Sequence, residues 1–260
     1  STSYSGTALP GATISARLGG NAFATLTADA SGAFSGTASL ALGMNVLSFT
    51  QTVNGVQSGP ASVTVGVVPP PPVITSPVNG ARLSAGNSPV LGTAVANTGI
   101  TVYVNGQLAG TGMTNASGQW NVTVPLVYGQ DVLTATAQND AGPSAPSAPV
   151  TVIVAPGAPF ITTPSAPETH LAGDIAVAGL AQAGATVTLY DNGVAIGQIA
   201  ATAAGTFGYT IVGPSLGNHT LTATQLLGGQ PSPTSNSRLV VVHPDTDRDG
   251  IYDELDNCPL

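Results

Sequence analysis

Lysine is missing altogether from this chain of 260 residues, and its bases amount to four arginines. Phosphate neutralisation needs clustered Lys and Arg, so a nucleic-acid partner is excluded. The same absence excludes Lys-Asn isopeptide cross-links. Cysteine is reduced to Cys258. A cysteine-free body suits secreted repeat proteins and cytosolic proteins alike, so the redox compartment stays open, and the lone thiol points to a partner beyond residue 260 or in another chain. Long apolar runs are missing too. Hydrophobic residues make up 42% of the chain, but 33 Gly and 21 Pro break them into short stretches, none of which approaches the length of a bilayer span. The opening STSYSGTALPG has neither a basic start nor an apolar signal core, so any targeting segment is expected to have been removed or to lie outside these residues.

What is present is a stretch that occurs three times. SGAFSGTASLALGMNVLSFTQ from Ser31, SGQWNVTVPLVYGQDVLTATA from Ser117 and AGTFGYTIVGPSLGNHTLTATQ from Ala204 share a Gly, one residue, an aromatic, an apolar run, a second Gly and an alternating strand. Phe34, Trp120 and Phe207 stand 86 and 87 residues apart, and Leu47, Leu133 and Leu221 stand 86 and 88 apart. Landmarks that advance together over so long a period mean tandem domains rather than a solenoid of short units.

Along the chain, runs such as 13–18, 33–40, 46–51 and 61–67 alternate with period two, and no segment carries a helical pattern. Asn54-Gly55, Asn105-Gly106 and Asn192-Gly193 mark tight hairpins. The expected fold is all-β, with three tandem sandwiches in an elongated array and an acidic loop at the C-terminus. The expected boundaries are 1–67, a proline spacer at 68–72, 73–156, 157–243 and 244–260. Pro69 to Pro72 reads as a stiff spacer, or alternatively as an irregular edge strand continuing the preceding valines. Repeat 1 lacks the opening strand that VITSP and FITTP supply to the others. Either its boundary is clipped or a vacant edge accepts a strand from a neighbour.

The pattern from Gly92 to Ser144, GTAxxGxxVxVxxNGxxxGxxxxxxxGxWxxxVxxxxGxxxLTATAxxxAGxxS, resembles the bacterial immunoglobulin-like repeats of surface proteins and adhesins. The resemblance implies a seven-stranded sandwich used as a repeated extracellular spacer. Where many members of that family carry an Asp pair, this chain has Ala30-Ser31, Ala116-Ser117 and Ala203-Ala204, leaving Asp29 and Asp140 as the nearby acids.

Six of the twelve acids lie in the last sixteen residues. DTDRDGIYDELDNCP places carboxylates where a looped backbone brings oxygens around one Ca²⁺. Asp245, Asp247 and Asp249 are expected to converge, Gly250 to permit the sharp turn, the Ile251 carbonyl to contribute, and Asp253 and Asp256 to close the shell. The plainer alternative is a solvated acidic tail. The stretch is similar to a thrombospondin type 3 repeat, DxDxDGxxDxxDNCP, which implies calcium and a cysteine paired with an adjacent repeat.

His170, His219 and His243 read as surface polar residues, and no GxSxG, HExxH or paired body acids support catalysis. Phe34, Trp120 and Phe207 read as core plugs rather than a sugar-stacking row. Tyr103 and Tyr190 are the better stacking surfaces if the chain binds a glycan, and the sequons at Asn115, Asn121 and Asn218 read as incidental. The function expected is non-enzymatic: an extracellular structural or spacer protein of a bacterial surface, as stalk, filament or sheath subunit, with a calcium-stabilised junction. The alternatives are an adhesin or carbohydrate-binding module, or a filament subunit that adds strands between copies at the open edge of repeat 1. Partners expected are copies of the chain or other surface proteins.

Overall fold

The computed structural model describes residues 1–165, 167–247 and 249–258. It is all-β, with no helix among the described residues. Repeat 1 forms β1 (Thr2–Thr7), β2 (Thr13–Leu18), β3 (Asn21–Thr27), β4 (Ala33–Ala38), β5 (Gly43–Val53), β6 (Val56–Gln57) and β7 (Ala61–Val67). Repeat 2 opens with β8 (Val73–Ser76) and β9 (Arg82–Leu83). It continues with β10 (Gly86–Thr93), β11 (Gly99–Val104), β12 (Gln107–Met113), β13 (Gln119–Leu126), β14 (Gly129–Asn139), β15 (Gly142–Pro143) and β16 (Val150–Val154). Repeat 3 likewise opens with β17 (Phe160–Thr163) and β18 (Glu168–Leu171). Then come β19 (Ile175–Leu180), β20 (Thr186–Asp191), β21 (Val194–Ala200), β22 (Thr206–Ile211), β23 (Gly217–Leu227), β24 (Gln230–Pro231) and β25 (Arg238–His243). The proline stretch 69–72 carries no strand, and Pro69 and Pro72 are buried.

The chain folds as two compact units. One comprises Ser1–Val78, Pro89–Val124 and Leu133–Val150, and the other Asn79–Ser88, Pro125–Val132 and Thr151–Leu260. In the first unit β1 pairs β4 alone, while β2 carries β3 on one edge and β5 on the other. The same unit holds the order β13-β10-β8 and the run β12-β11-β14. In the second unit β17-β19-β22 faces a larger sheet ordered β18-β25-β23-β20-β21. Most pairings are antiparallel; β9 on β16 and β18 on β25 are parallel. Short strands joined by Asn-Gly turns and backed by a second sheet make tandem β-sandwiches. The turn residues Asn54, Asn105 and Asn192 all have positive φ, as the hairpin pattern predicts.

Period-two alternation decides which side chains fill each core. Ile14, Ile100 and Val187 occupy one repeat position and Leu47, Leu133 and Leu221 another, and all six are at most 2% exposed. Burying one such leucine contributes about 2 kcal/mol. The aromatic position explains the G-x-aromatic signature. Gly32, Gly118 and Gly205 have positive φ and lie against the carbonyl oxygens of Ala8, Ala94 and Ala181, where a side chain would collide. Two residues on, the rings of Phe34, Trp120 and Phe207 lie across the bare backbone of Gly6, Gly92 and Gly179. Trp120 and Phe207 are each 4% exposed, whereas Phe34 is half-buried and packs on Phe49 with ring centroids 5.8 Å apart. The core reading of this position therefore holds, with repeat 1 the least enclosed.

Strands β1 and β3 have no counterpart among the alternating runs read from the sequence. Tyr4 is the one large side chain of β1, and Phe23 and Leu26 stand three apart in β3, so neither shows a period-two run. Tyr4 packs edge-on against Phe23 with ring centroids 5.9 Å apart, and the ladder partners β4 and β2 complete the extended form.

Candidate metal centre

The acidic loop follows directly from β25. The His243 ring at the end of that strand packs on Tyr252, with ring centroids 4.8 Å apart, and His243 Nδ1 lies 3.7 Å from Glu254 Oε1. The Asp253 N–H donates to the Pro244 carbonyl at 3.0 Å. These contacts tie both ends of the turn to the strand and hold the intervening aspartates in place.

Within the turn, one ligand oxygen from each of Asp245, Asp247 and Asp249 lies within 4.8 Å of the others. Backbone amides shape the cradle. Asp247 accepts from the Asp249 N–H (3.2 Å), Asp245 from Gly250 (3.2 Å) and Asp249 from Ile251 (2.8 Å). Gly250 has φ +95°, a conformation that a side chain would strain. Asp245 Oδ1 is buried without a hydrogen-bond partner among the described residues. A buried lone carboxylate oxygen is costly unless something positive meets it. Three carboxylates with one such oxygen fit a hard divalent cation that takes only oxygen ligands.

The other predicted ligands are placed differently. Both oxygens of Asp253 accept from Thr246, one from its N–H and one from its hydroxyl, each at 2.7 Å. Asp256 accepts from the Cys258 N–H at 2.9 Å. Ile251 is engaged through its N–H. The structure thus gathers Asp245, Asp247 and Asp249 and leaves Asp253 and Asp256 bracing the loop. Of the fifteen-residue motif, Arg248 and Pro259 lie outside the described residues. Cys258 is exposed and free.

Asp29 and Asp140, the acids near the positions of the absent Asp pairs, have local work. Asp29 Oδ1 accepts from the Ser31 N–H and hydroxyl and from the Ala33 N–H, and these bonds, the Ser31 hydroxyl foremost, hold its carboxyl below the usual range. Asn115 and Thr202 cap the same turn in the other repeats. Asp140 reaches the Met44 N–H at 3.3 Å, and its neighbour Asn139 donates to the Val67 carbonyl at 2.9 Å. Tyr103 and Tyr190 are half-buried at corresponding points of β11 and β20, with the Tyr190 hydroxyl 3.3 Å from that of Thr224.

The surface reading of the histidines fails for His219, which is 4% exposed. Its Nδ1 donates to Asp191 Oδ2 at 2.6 Å and its Nε2 to the Ser215 carbonyl at 2.8 Å. Its position in the repeat explains the burial. Asn45, Asp131 and His219 each stand two residues after the glycine that starts the long strand, and all three are buried. Each ties down the residue four before it. Asn45 bonds Ala41, Asp131 accepts from Val127, and His219 bonds Ser215. His170 pairs with Glu168 at 2.8 Å on the more open strand β18.

No protein-family model matches the chain, and no curated protein matches it in sequence. Among solved structures, the chain is similar to the fibronectin(III)-like modules of Clostridium thermocellum CbhA at 20% identity, over 66% of this chain and 93% of that one, with a TM-score of 0.30. Its similarity to Sidekick-1 immunoglobulin domains 1–5 covers 94% of this chain and 56% of that one, at 13% identity and a TM-score of 0.31. The Yersinia pseudotuberculosis adhesin InvE is similar over 67% of this chain and 59% of that one, at 16% identity and a TM-score of 0.38.

Proposed function

We propose that this chain is a non-enzymatic structural segment of a protein displayed outside a bacterial cell, as part of a stalk, filament or sheath, with a C-terminal loop that Ca²⁺ stiffens. The division into repeats at 1–67, 73–156 and 157–243, a spacer at 68–72 and a loop at 244–260 belongs to the same reading. The observation that carries it is the grouping of Asp245, Asp247 and Asp249, together with an Asp245 oxygen that is buried and has no hydrogen-bond partner among the described residues. Elsewhere the polar side chains described above are spent on turns and strand ends, which is the chemistry of a scaffold. Ca²⁺ in the cradle would offset two of the three close negative charges and lock the loop against β25.

Calorimetric titration of the chain is expected to show Ca²⁺ binding with a Kd of about 10⁻⁴ to 10⁻³ M, and Asp247→Asn to weaken it at least about tenfold. EDTA is expected to hasten proteolytic cleavage within 244–258. A chain that releases no heat with Ca²⁺ and is cleaved equally with and without EDTA overturns the calcium reading. Protease treatment of intact source cells tests the location: a chain left uncut until the cells are lysed contradicts surface display.

A further inference from the structure

The turn between β14 and β15, residues 139–142, belongs to repeat 2 but rests on repeat 1. It meets the start of β5 and the end of β7, which run side by side with Gly43 opposite Val67 and Met44 opposite Gly66. Two glycines leave that ledge bare. A side chain at Gly43 would stand 2.6 Å from Asp140 Oδ1, and one at Gly66 would stand 3.0 Å from Ala141 Cβ. With only hydrogens at these two places, the turn comes up against the backbone of repeat 1 directly.

Hydrogen bonds fasten the contact. Asn139, half-buried, uses both ends of its carboxamide: Oδ1 accepts from the Ala141 N–H at 3.0 Å, and Nδ2 donates to the Val67 carbonyl at 2.9 Å. One bond shapes the turn and the other ties it to repeat 1. The Met44 N–H crosses the other way to Asp140 Oδ2 at 3.3 Å. Past β7 the connection is held as well. Pro69 and Pro72 are buried, and Val68 Cγ1 lies 3.6 Å from where a side chain at Gly142 would begin. Prolines with fixed φ leave such a link little freedom to swing. All of these residues fall within the same compact unit.

The sandwich itself does not require that amide. Asn139 is the last residue of its long strand, and the same place is Val53 in repeat 1 and Leu227 in repeat 3. Neither side chain offers a hydrogen-bond donor. The repeat 3 turn meets the chain before it through bare backbone, Gly228 against the Tyr128 carbonyl. Domains that share a chain and a modest contact move relative to one another by default, so a side chain that bridges them changes their behaviour. We infer that Asn139 is a pin. It fixes repeat 1 against repeat 2 through hydrogen bonds within the protein alone, so that the two move as a single body. Failure of the acidic loop to bind Ca²⁺ would leave this joint as it is.

Amide hydrogen exchange on the whole chain tests the pin at Met44, whose N–H bonds across the joint. Asn139→Leu, which installs the residue of repeat 3, is expected to speed Met44 exchange at least about tenfold. Asn139→Asp keeps the acceptor for the Ala141 N–H and loses the donor to Val67. It is expected to speed Met44 to a similar extent while Ala141 stays protected, which separates the joint from the turn. Nitroxide labels on Thr25→Cys and Thr111→Cys, both exposed positions, in a chain that also carries Cys258→Ser, read the same joint as a distance. One narrow distance is expected, unchanged by EDTA and broadened by either Asn139 substitution. Unchanged Met44 exchange in Asn139→Asp overturns the inference. So does a broad distance distribution before any change at Asn139, or one that EDTA alone broadens.

Discussion

Gly92→Ala and Gly179→Ala are each expected to cost about 3 kcal/mol, and Gly6→Ala about 1 kcal/mol. A methyl group at Gly92 would meet the Val73 carbonyl oxygen on one side and the Trp120 indole on the other, and at Gly179 the Phe160 carbonyl oxygen and the Phe207 ring. Neither a paired backbone nor a ring 4% exposed has room to retreat. At Gly6 the three nearest atoms all belong to the outer end of Phe34, a half-buried ring that can swing toward the cleft beside it. Trp120 is the single tryptophan, so its fluorescence reports the second core alone. Gly92→Ala should lower the Tm of that signal by about 12 °C or more, and Gly6→Ala should leave it in place. Equal losses at all three positions would show that the Val73 and Phe160 carbonyl oxygens make no difference to packing.

The second large effect is expected at His219, as a loss of stability with rising pH. Two acceptors face the ring, the Asp191 carboxylate and the Ser215 carbonyl, so both nitrogens must carry protons. Desolvation is the largest single influence and acts to lower the pKa. The Ser215 and Asp191 hydrogen bonds and the Asp191 charge together outweigh it, so the pKa is raised above 6.5. The folded state therefore holds a proton that the unfolded chain releases near pH 6.5. The stabilisation is complete below that value and fades as pH climbs through the raised folded pKa, by up to about 1.4 kcal/mol per unit. His219→Gln should remove this slope. It should also cost about 3 kcal/mol at pH 6, because Asp191 keeps one buried oxygen that has no partner among the described residues and loses the cation beside the other. Urea unfolding of both proteins between about pH 6 and pH 9 decides the matter, and parallel curves would contradict a charged His219.

Much of the architecture is readable from spacing. The runs 13–18 and 61–67 are strands with those bounds, the Asn-Gly pairs are turns, and the aromatic position is core. The limits have physical causes. β1 and β3 carry too few large apolar side chains to show alternation, although Tyr4 and Phe23 pack on each other. His219 looked like a surface residue because an isolated imidazole gives no hint of burial. The signal that could have found it was the repeat itself, since Asn45 and Asp131 occupy the same place after the strand-opening glycine. In the acidic loop, the 1-3-5 aspartate spacing puts three carboxylates together, yet spacing is silent about Thr246, whose amide and hydroxyl occupy Asp253.

Serine hydroxyls close the edges of the long strands where the chain turns away. Ser144 and Ser147 exchange bonds with Ala137 and Ala135, and Ser232 and Ser235 with Gln225 and Ala223. Prolines at 143, 146, 149, 231 and 233 flank them. Copies of one sequence strung on a single chain are prone to trade strands while folding, since each carries a partner suited to its neighbour. An amide already satisfied by a hydroxyl, beside a proline with no N–H to offer, gives an intruding strand nothing to grip.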